Sequence, residues 1–118
     1  MRLLTLIALA LTSLIATATA QSFFAGKTVT ILIPSNPGGG IDAYSRLVAR
    51  HLGRQIEGQP NLTVQNVPGA GGLRALNLMV SRMAQDGTVI LNVNSGNLIH
   101  ELMGEPGMDV SLRKLQWL

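Results

Sequence analysis

Thr28-Val29-Thr30-Ile31-Leu32-Ile33, followed at once by Pro34-Ser35-Asn36-Pro37-Gly38-Gly39-Gly40-Ile41-Asp42, is the stretch on which the fold turns. Its first six residues are β-branched or apolar and end at a proline, which suits a buried strand. The glycine run offers no side chain to block a ligand and allows φ > 0. Ile41, Tyr44, Leu47, Val48, His51 and Leu52 then recur at three and four spacings. That spacing predicts a helix with those residues on its apolar face and Arg46, Arg50 and Arg54 on another. Asp42 stands near the helix start, where a carboxylate can accept from free N–H groups. The helix is expected to fade near Gly58-Gln59-Pro60.

The same order repeats downstream. Leu62-Thr63-Val64-Gln65-Asn66-Val67 is a second strand, ending in the loop Pro68-Gly69-Ala70-Gly71-Gly72. Leu73, Leu76, Asn77, Val80 and Met83 mark a second helix, closed by Asp86-Gly87 turn chemistry. Thr88-Val89-Ile90-Leu91-Asn92-Val93 is a third strand, followed by the polar loop Asn94-Ser95-Gly96-Asn97. Strands alternating with helices at this spacing predict an α/β fold with a parallel βαβαβ sheet and all three loops at the carboxyl ends of its strands. Leu98 to Met103 reads as a short helix and Glu105-Pro106-Gly107 as a turn; Val110 to Leu118 ends on an apolar pattern without punctuation, as in a chain cut short.

The loops carry the functional signal. A helix's first turn has N–H donors without internal partners and a positive dipole end. Two such ends side by side, at residues 37–42 and 68–72, would receive a carboxylate or phosphate without any arginine.

Composition bounds the alternatives. Arg2, the apolar run Leu3 to Ile15 and Ala18-Thr19-Ala20 form an export signal expected to be cleaved after Ala20, placing the protein in the periplasm. The apolar run is short of the ~20 residues that span a bilayer. The remaining 98 residues hold one domain or part of one, and there are no cysteines, so export proceeds without disulfides. The net charge of +3 is scattered, and the aromatics of the sequence are Phe23, Phe24, Tyr44 and Trp117 alone, which argues against nucleic acid as a partner.

Catalytic readings find little support. Neither glycine loop has the lysine of a nucleotide phosphate loop. Gly38-Gly39-Gly40-Ile41-Asp42-Ala43 satisfies a permissive dinucleotide pattern, with Glu57 at about the distance of a ribose acceptor. Pro34 and Pro37 lengthen that turn, however, and Glu57 falls near a helix end. His51 and His100 lack nucleophile partners, Ser95 lacks the flanking elbow glycines, and the sequence has no clustered metal ligands. The expectation is therefore a protein that is not an enzyme and needs no cofactor or metal.

Taken together, Pro34 to Asp42, Asn66 to Gly72, Asp86-Gly87-Thr88-Val89-Ile90-Leu91 and Asn94-Ser95-Gly96 resemble the N-terminal part of the Bug family, the TctC-like extracytoplasmic solute receptors of tripartite tricarboxylate transporters. The resemblance spans the mature chain but only about the first third of a typical member. It implies a periplasmic-binding-protein type II-like architecture with the second lobe absent: residues 1–20 signal, residues 21–118 partial lobe one. It also implies binding of a small organic carboxylate for delivery to membrane permease subunits. Carried onto this sequence, the ligand residues are Pro37, Gly38, Gly39, Gly40, Ile41 and Asp42; Pro68, Gly69, Ala70, Gly71 and Gly72; and Asn94 and Ser95. Gly40 and Ile41 stand where relatives often have small hydroxyl residues, which leaves recognition to backbone N–H groups. The alternatives are an inactive truncated remnant and a dinucleotide-binding βαβ unit.

Overall fold

The structure is a computed structural model that describes residues 22–118; the expected export signal over residues 1–20 lies outside them. Strand β1 (Thr28–Ile33) is central, flanked by β2 (Asn61–Asn66) and β3 (Val89–Leu91) in the order β2-β1-β3, all parallel. Helix α1 (Gly40–Leu52) connects β1 to β2, α2 (Leu73–Arg82) connects β2 to β3, and α3 (Ser95–Leu102) follows β3. The molecule is thus an α/β protein built on a three-stranded parallel sheet. The expected third strand is shortened to three residues, yet the ladder extends past both ends: Thr30 N–H donates to Thr88 O and Asn92 N–H to Leu32 O.

Alternation along β1 sends its buried residues to opposite faces, as a central strand covered on both sides requires. Leu32 packs with Ala75 of α2 and with Leu78, Met79 and Leu91. A second cluster joins Leu73 and Leu76 of α2 to Leu112, at the start of a short helical turn near the C-terminus. Ile33 points the other way, in a row with Asn66 of β2 and, one step past the Leu32–Leu91 pairing, Asn92. Helix α1 packs over β1 and β2. Its buried side chains include Asp42 and Ser45, which bond to Asn66 and Asn92 of that row.

This corrects the expected face of α1. Ile41 and His51 are exposed, Tyr44 and Leu47 are 64% and 51% exposed, and Val48 and Leu52 are half-buried. The polar pairs Asp42–Asn66 and Ser45–Asn92 hold the helix at an angle that turns much of its apolar stripe outward. The helix also ends at Leu52, before the predicted Gly58-Gln59-Pro60 stop. The second helix ends at Arg82, and Asp86 forms the predicted turn by accepting from the N–H and hydroxyl of Thr88.

The two helices therefore respond differently to truncation. Leu76→Ala, at a fully buried position, is expected to lower unfolding free energy by about 2–5 kcal/mol. Leu47→Ala, on the outward face of α1, is expected to change it by less than about 0.5 kcal/mol. Urea titration of both variants checks the assignment; a large loss in Leu47→Ala would mean that α1 buries the opposite face.

Candidate functional site

Parallel strands put the loops after β1, β2 and β3 at one end of the sheet. Asn66, the last residue of β2, joins the first two. Its amide donates to Ser35 O (2.9 Å) and to Asp42 Oδ1 (2.8 Å), while its Oδ1 accepts from Arg46 Nη2 (2.9 Å). Arg46 Nε lies 3.0–3.1 Å from both Asp42 oxygens, and Gly38 N–H donates to Asp42 Oδ2 at 2.9 Å. The Arg46 guanidinium, the Gly38 amide and the Asn66 amide hold the Asp42 carboxyl well below the usual carboxylate range. Asp42 in turn raises the pKa of Arg46.

Asp42 is consequently buried and fully engaged by the protein, while Pro37, Gly38, Gly39, Gly40 and Ile41 are exposed. The N-cap position of α1 is Gly39, and no side chain caps the helix. Among the described residues, the N–H groups of Gly39, Gly40 and Ile41 have no acceptor. A Cβ on Gly38 or Gly40 would meet nothing within 4 Å, so the backbone here is open to approach.

The second loop reaches the same condition by a different route. Residues Gly69, Ala70, Gly71 and Gly72 have φ of 130°, 47°, 61° and 102°, four left-handed or positive values in succession. Gly69, Ala70 and Gly71 are exposed, Pro68 is half-buried, and α2 starts from Gly72 without a side-chain cap. The N–H groups of Ala70 and Gly71 have no acceptor among the described residues. Runs of backbone N–H in such conformations form anion-binding concavities.

Gly72 is where the three loops meet. A Cβ there would stand 3.0 Å from Asn97 Oδ1, 3.1 Å from Asn94 Cβ and 3.2 Å from Pro34 Cβ. Only glycine fits both that space and the φ of 102°. Buried Asn97 adds a bond from its amide to Gly71 O (3.3 Å). The third loop is closed, in contrast to the other two. Asn94 caps α3 by accepting from Gly96 N–H at 3.0 Å, and Asn97 N–H returns to Asn94 O. Ser95 is exposed beside it.

Sequence reasoning named the loops but missed Arg46, Asn66, Ser45, Asn92 and Asn97, which place them. Two signals were available: Arg46 follows Asp42 by one helical turn, the spacing of a helix ion pair, and asparagine stands at the carboxyl end of both outer strands. Arg46, which the cradle expected from the loops left out, sits beside Asp42 with its side chain 40% exposed. Glu57 lies on the turn entering β2, at the far end of the sheet from the glycine loops. It does not stand where a ribose acceptor would.

Among known proteins, the chain is 35% identical over 98 residues to the UPF0065 protein in the tcbD-tcbE intergenic region of Pseudomonas sp. (strain P51). UPF0065 corresponds to the Bug, TctC-like family. The family resemblance is thereby supported. The match takes in 83% of this chain and 28% of the relative, so the chain spans just over a quarter of that protein's length. No family model matches the chain, and no solved structure matches it significantly.

Two substitutions test this geometry. Gly72→Ala is expected to destabilise by more than about 1 kcal/mol, because strain and contact act together. At exposed Gly71, where φ is 61° and a Cβ would meet nothing, alanine is expected to cost only the left-handed penalty of about 1–2 kcal/mol without perturbing Asn94 or Asn97. Amide spectra of the two variants should differ accordingly at the third loop. Ionised Asp42 stabilises the fold fully above its unfolded-state pKa of about 3.9 and loses that contribution as pH falls toward its lower folded-state value. The stability gap between wild type and Asp42→Asn should therefore be constant from neutral pH to about pH 5 and shrink below about pH 4. A gap independent of pH would show that Asp42 is not held ionised.

Proposed function

We propose that this protein is an extracytoplasmic solute receptor of the Bug type, and that its loops at residues 37–42 and 68–72 bind the carboxylate of a small organic acid. The observation that carries this reading is the pair of uncapped helix starts on adjacent parallel strands, with exposed N–H groups at Gly39, Gly40, Ile41, Ala70 and Gly71. Ligands of open α/β sheets gather at that end. Carboxylate binding to unpaired amides at a helix start gains from hydrogen bonds and from the dipole.

Within this reading each residue has a role. Gly39, Gly40 and Ile41 present the first amides, Gly38 anchors their turn through its bond to Asp42, and Pro37 sets the entry to it. Ala70 and Gly71 present the second set from the turn shaped by Pro68 and Gly69, and Gly72 holds the loops together. Asp42 keeps the first loop in shape, and Arg46 adds positive potential behind it. Asn94 and Ser95 border the site from the third loop. The architecture is read as the first lobe of a periplasmic-binding-protein type II-like receptor, exported and serving the permease subunits of a tripartite tricarboxylate-type transporter. The relative's correspondence to the Bug, TctC-like family supports binding and transport over catalysis. No step of bond making or breaking belongs to this function.

The test uses backbone amide NMR with succinate, citrate, benzoate and glutamate. It uses both this chain and a chimera in which residues 22–118 precede the remaining length of the Pseudomonas relative. At least one acid is expected to shift the amides of both loops saturably and to raise the melting temperature of the chimera. Asp42→Ala is expected to weaken that binding by loosening the first loop. If no acid moves either loop in either protein, the receptor reading fails.

A further inference from the structure

A second cationic feature adjoins the second loop, on the flank of α2. A groove of about 430 Å³ has its floor at the end of β2, from Gln65 to Pro68. Its wall is one side of α2, with Arg74, Leu78, Ser81 and Arg82. The strand contributes polar surface because Thr63 and Gln65 are exposed, whereas the neighbouring Leu32 is covered by α2. Asn77 also borders the groove, but its amide is already used, donating to Gly107 O and accepting from Asp109 N–H.

No acidic residue lines this groove. Among the described residues, neither Arg74 nor Arg82 has a carboxylate within ion-pair distance, and residues 1–21 contain no Asp or Glu. The two arginines are eight residues apart on one helix, so their Cα atoms are separated by about 12 Å along its axis. Helical side chains lean toward the N-terminus, and the stem of Arg74 follows this rule by covering Gly69.

We propose that this groove is a docking site for an extended acidic peptide segment of a partner protein. Two carboxylates four residues apart on an extended chain are separated by about 13 Å, which matches the arginine spacing. Leu78 and Pro68 offer apolar contact between the charged ends, and Gln65 and Ser81 offer hydrogen bonds to the peptide backbone. Arginine suits the role because its planar fork grips a carboxylate with two parallel bonds. The groove meets the second glycine loop at Pro68 but does not include the open amides at residues 39–41, and the proposal does not require the function proposed for the loops.

The probe is the pentapeptide acetyl-Glu-Gly-Ser-Gly-Glu-amide, titrated into the isotopically labelled chain at low salt. Its glutamine counterpart and octanedioate, an elongated small dianion, are titrated in parallel. The acidic peptide is expected to shift the amides at residues 65–67 and 78–82 while leaving residues 39–41 unmoved. Each single variant, Arg74→Gln or Arg82→Gln, is expected to weaken binding about two- to fivefold, and the double variant to abolish it. Added salt should weaken binding in wild type. Because both side chains are exposed, the variants should keep the wild-type spectrum elsewhere. Equal binding of the glutamine peptide, unchanged binding by the double variant, or octanedioate binding as tightly as the acidic peptide would each overturn the proposal.

Discussion

The carboxylate of Asp42 is the point on which the functional end of this molecule depends. It is a charge removed from water, and a buried charge is tolerated only when paired and fully hydrogen-bonded. Here the partners come from separate places: Gly38 in the loop before α1, Arg46 one turn along the helix, and Asn66 at the end of β2. One side chain thereby ties the helix start to the loop after β1 and to the end of β2. Because Asn66 also donates to Ser35 O, the first loop is held at both ends. The amides between, at residues 39–41, are left facing outward on a fixed support.

That constraint also explains what the sequence made legible and what it concealed. The strands and glycine loops could be read because β-branched runs ended by proline or turn residues have few other solutions. Parallel order followed from the strand-helix alternation. The orientation of α1 could not be read by the same logic. Hydrophobic periodicity assumes that the apolar stripe faces inward, whereas Asp42 and Ser45 are drawn to Asn66 and Asn92 and turn Tyr44 and Leu47 outward. Helix α3 begins at Ser95, earlier than Leu98, because Asn94 caps it through Gly96, a local bond that apolar spacing does not report. At the site, the backbone donors were legible as glycines, but the side chains that position them were scattered over α1, β2, the segment after β3 and α3.

The three helix starts at this end differ in a way that separates structural from functional demand. Helix α3 uses Asn94, among the best N-cap residues, and satisfies its own amide. Helices α1 and α2 have glycine at the same position, Gly39 and Gly72, with no side-chain acceptor. Space alone accounts for Gly72, since three neighbours crowd the place of its Cβ. It does not account for Gly39, whose nearest neighbour to such an atom is the Asn36 carbonyl at 3.9 Å. A serine or aspartate would fit there and would stabilise an otherwise uncapped helix.

Stability therefore gives no reason for glycine at position 39, whereas on the proposed reading ligand access does. A capping side chain would place its oxygen where an incoming carboxylate must sit, satisfying the same N–H groups from within. Leaving the position bare keeps those donors available, at a cost of a few tenths of a kcal/mol in helix stability relative to a good cap. The surrounding network makes that cost tolerable, because Asp42 holds the first turn from its side and Gly38 N–H is already bound. On the proposed reading the external anion completes the helix start that Gly39 leaves open. Binding and folding are then linked through the same amides, so a carboxylate that occupies the loops must stabilise the first turn of α1 as it binds.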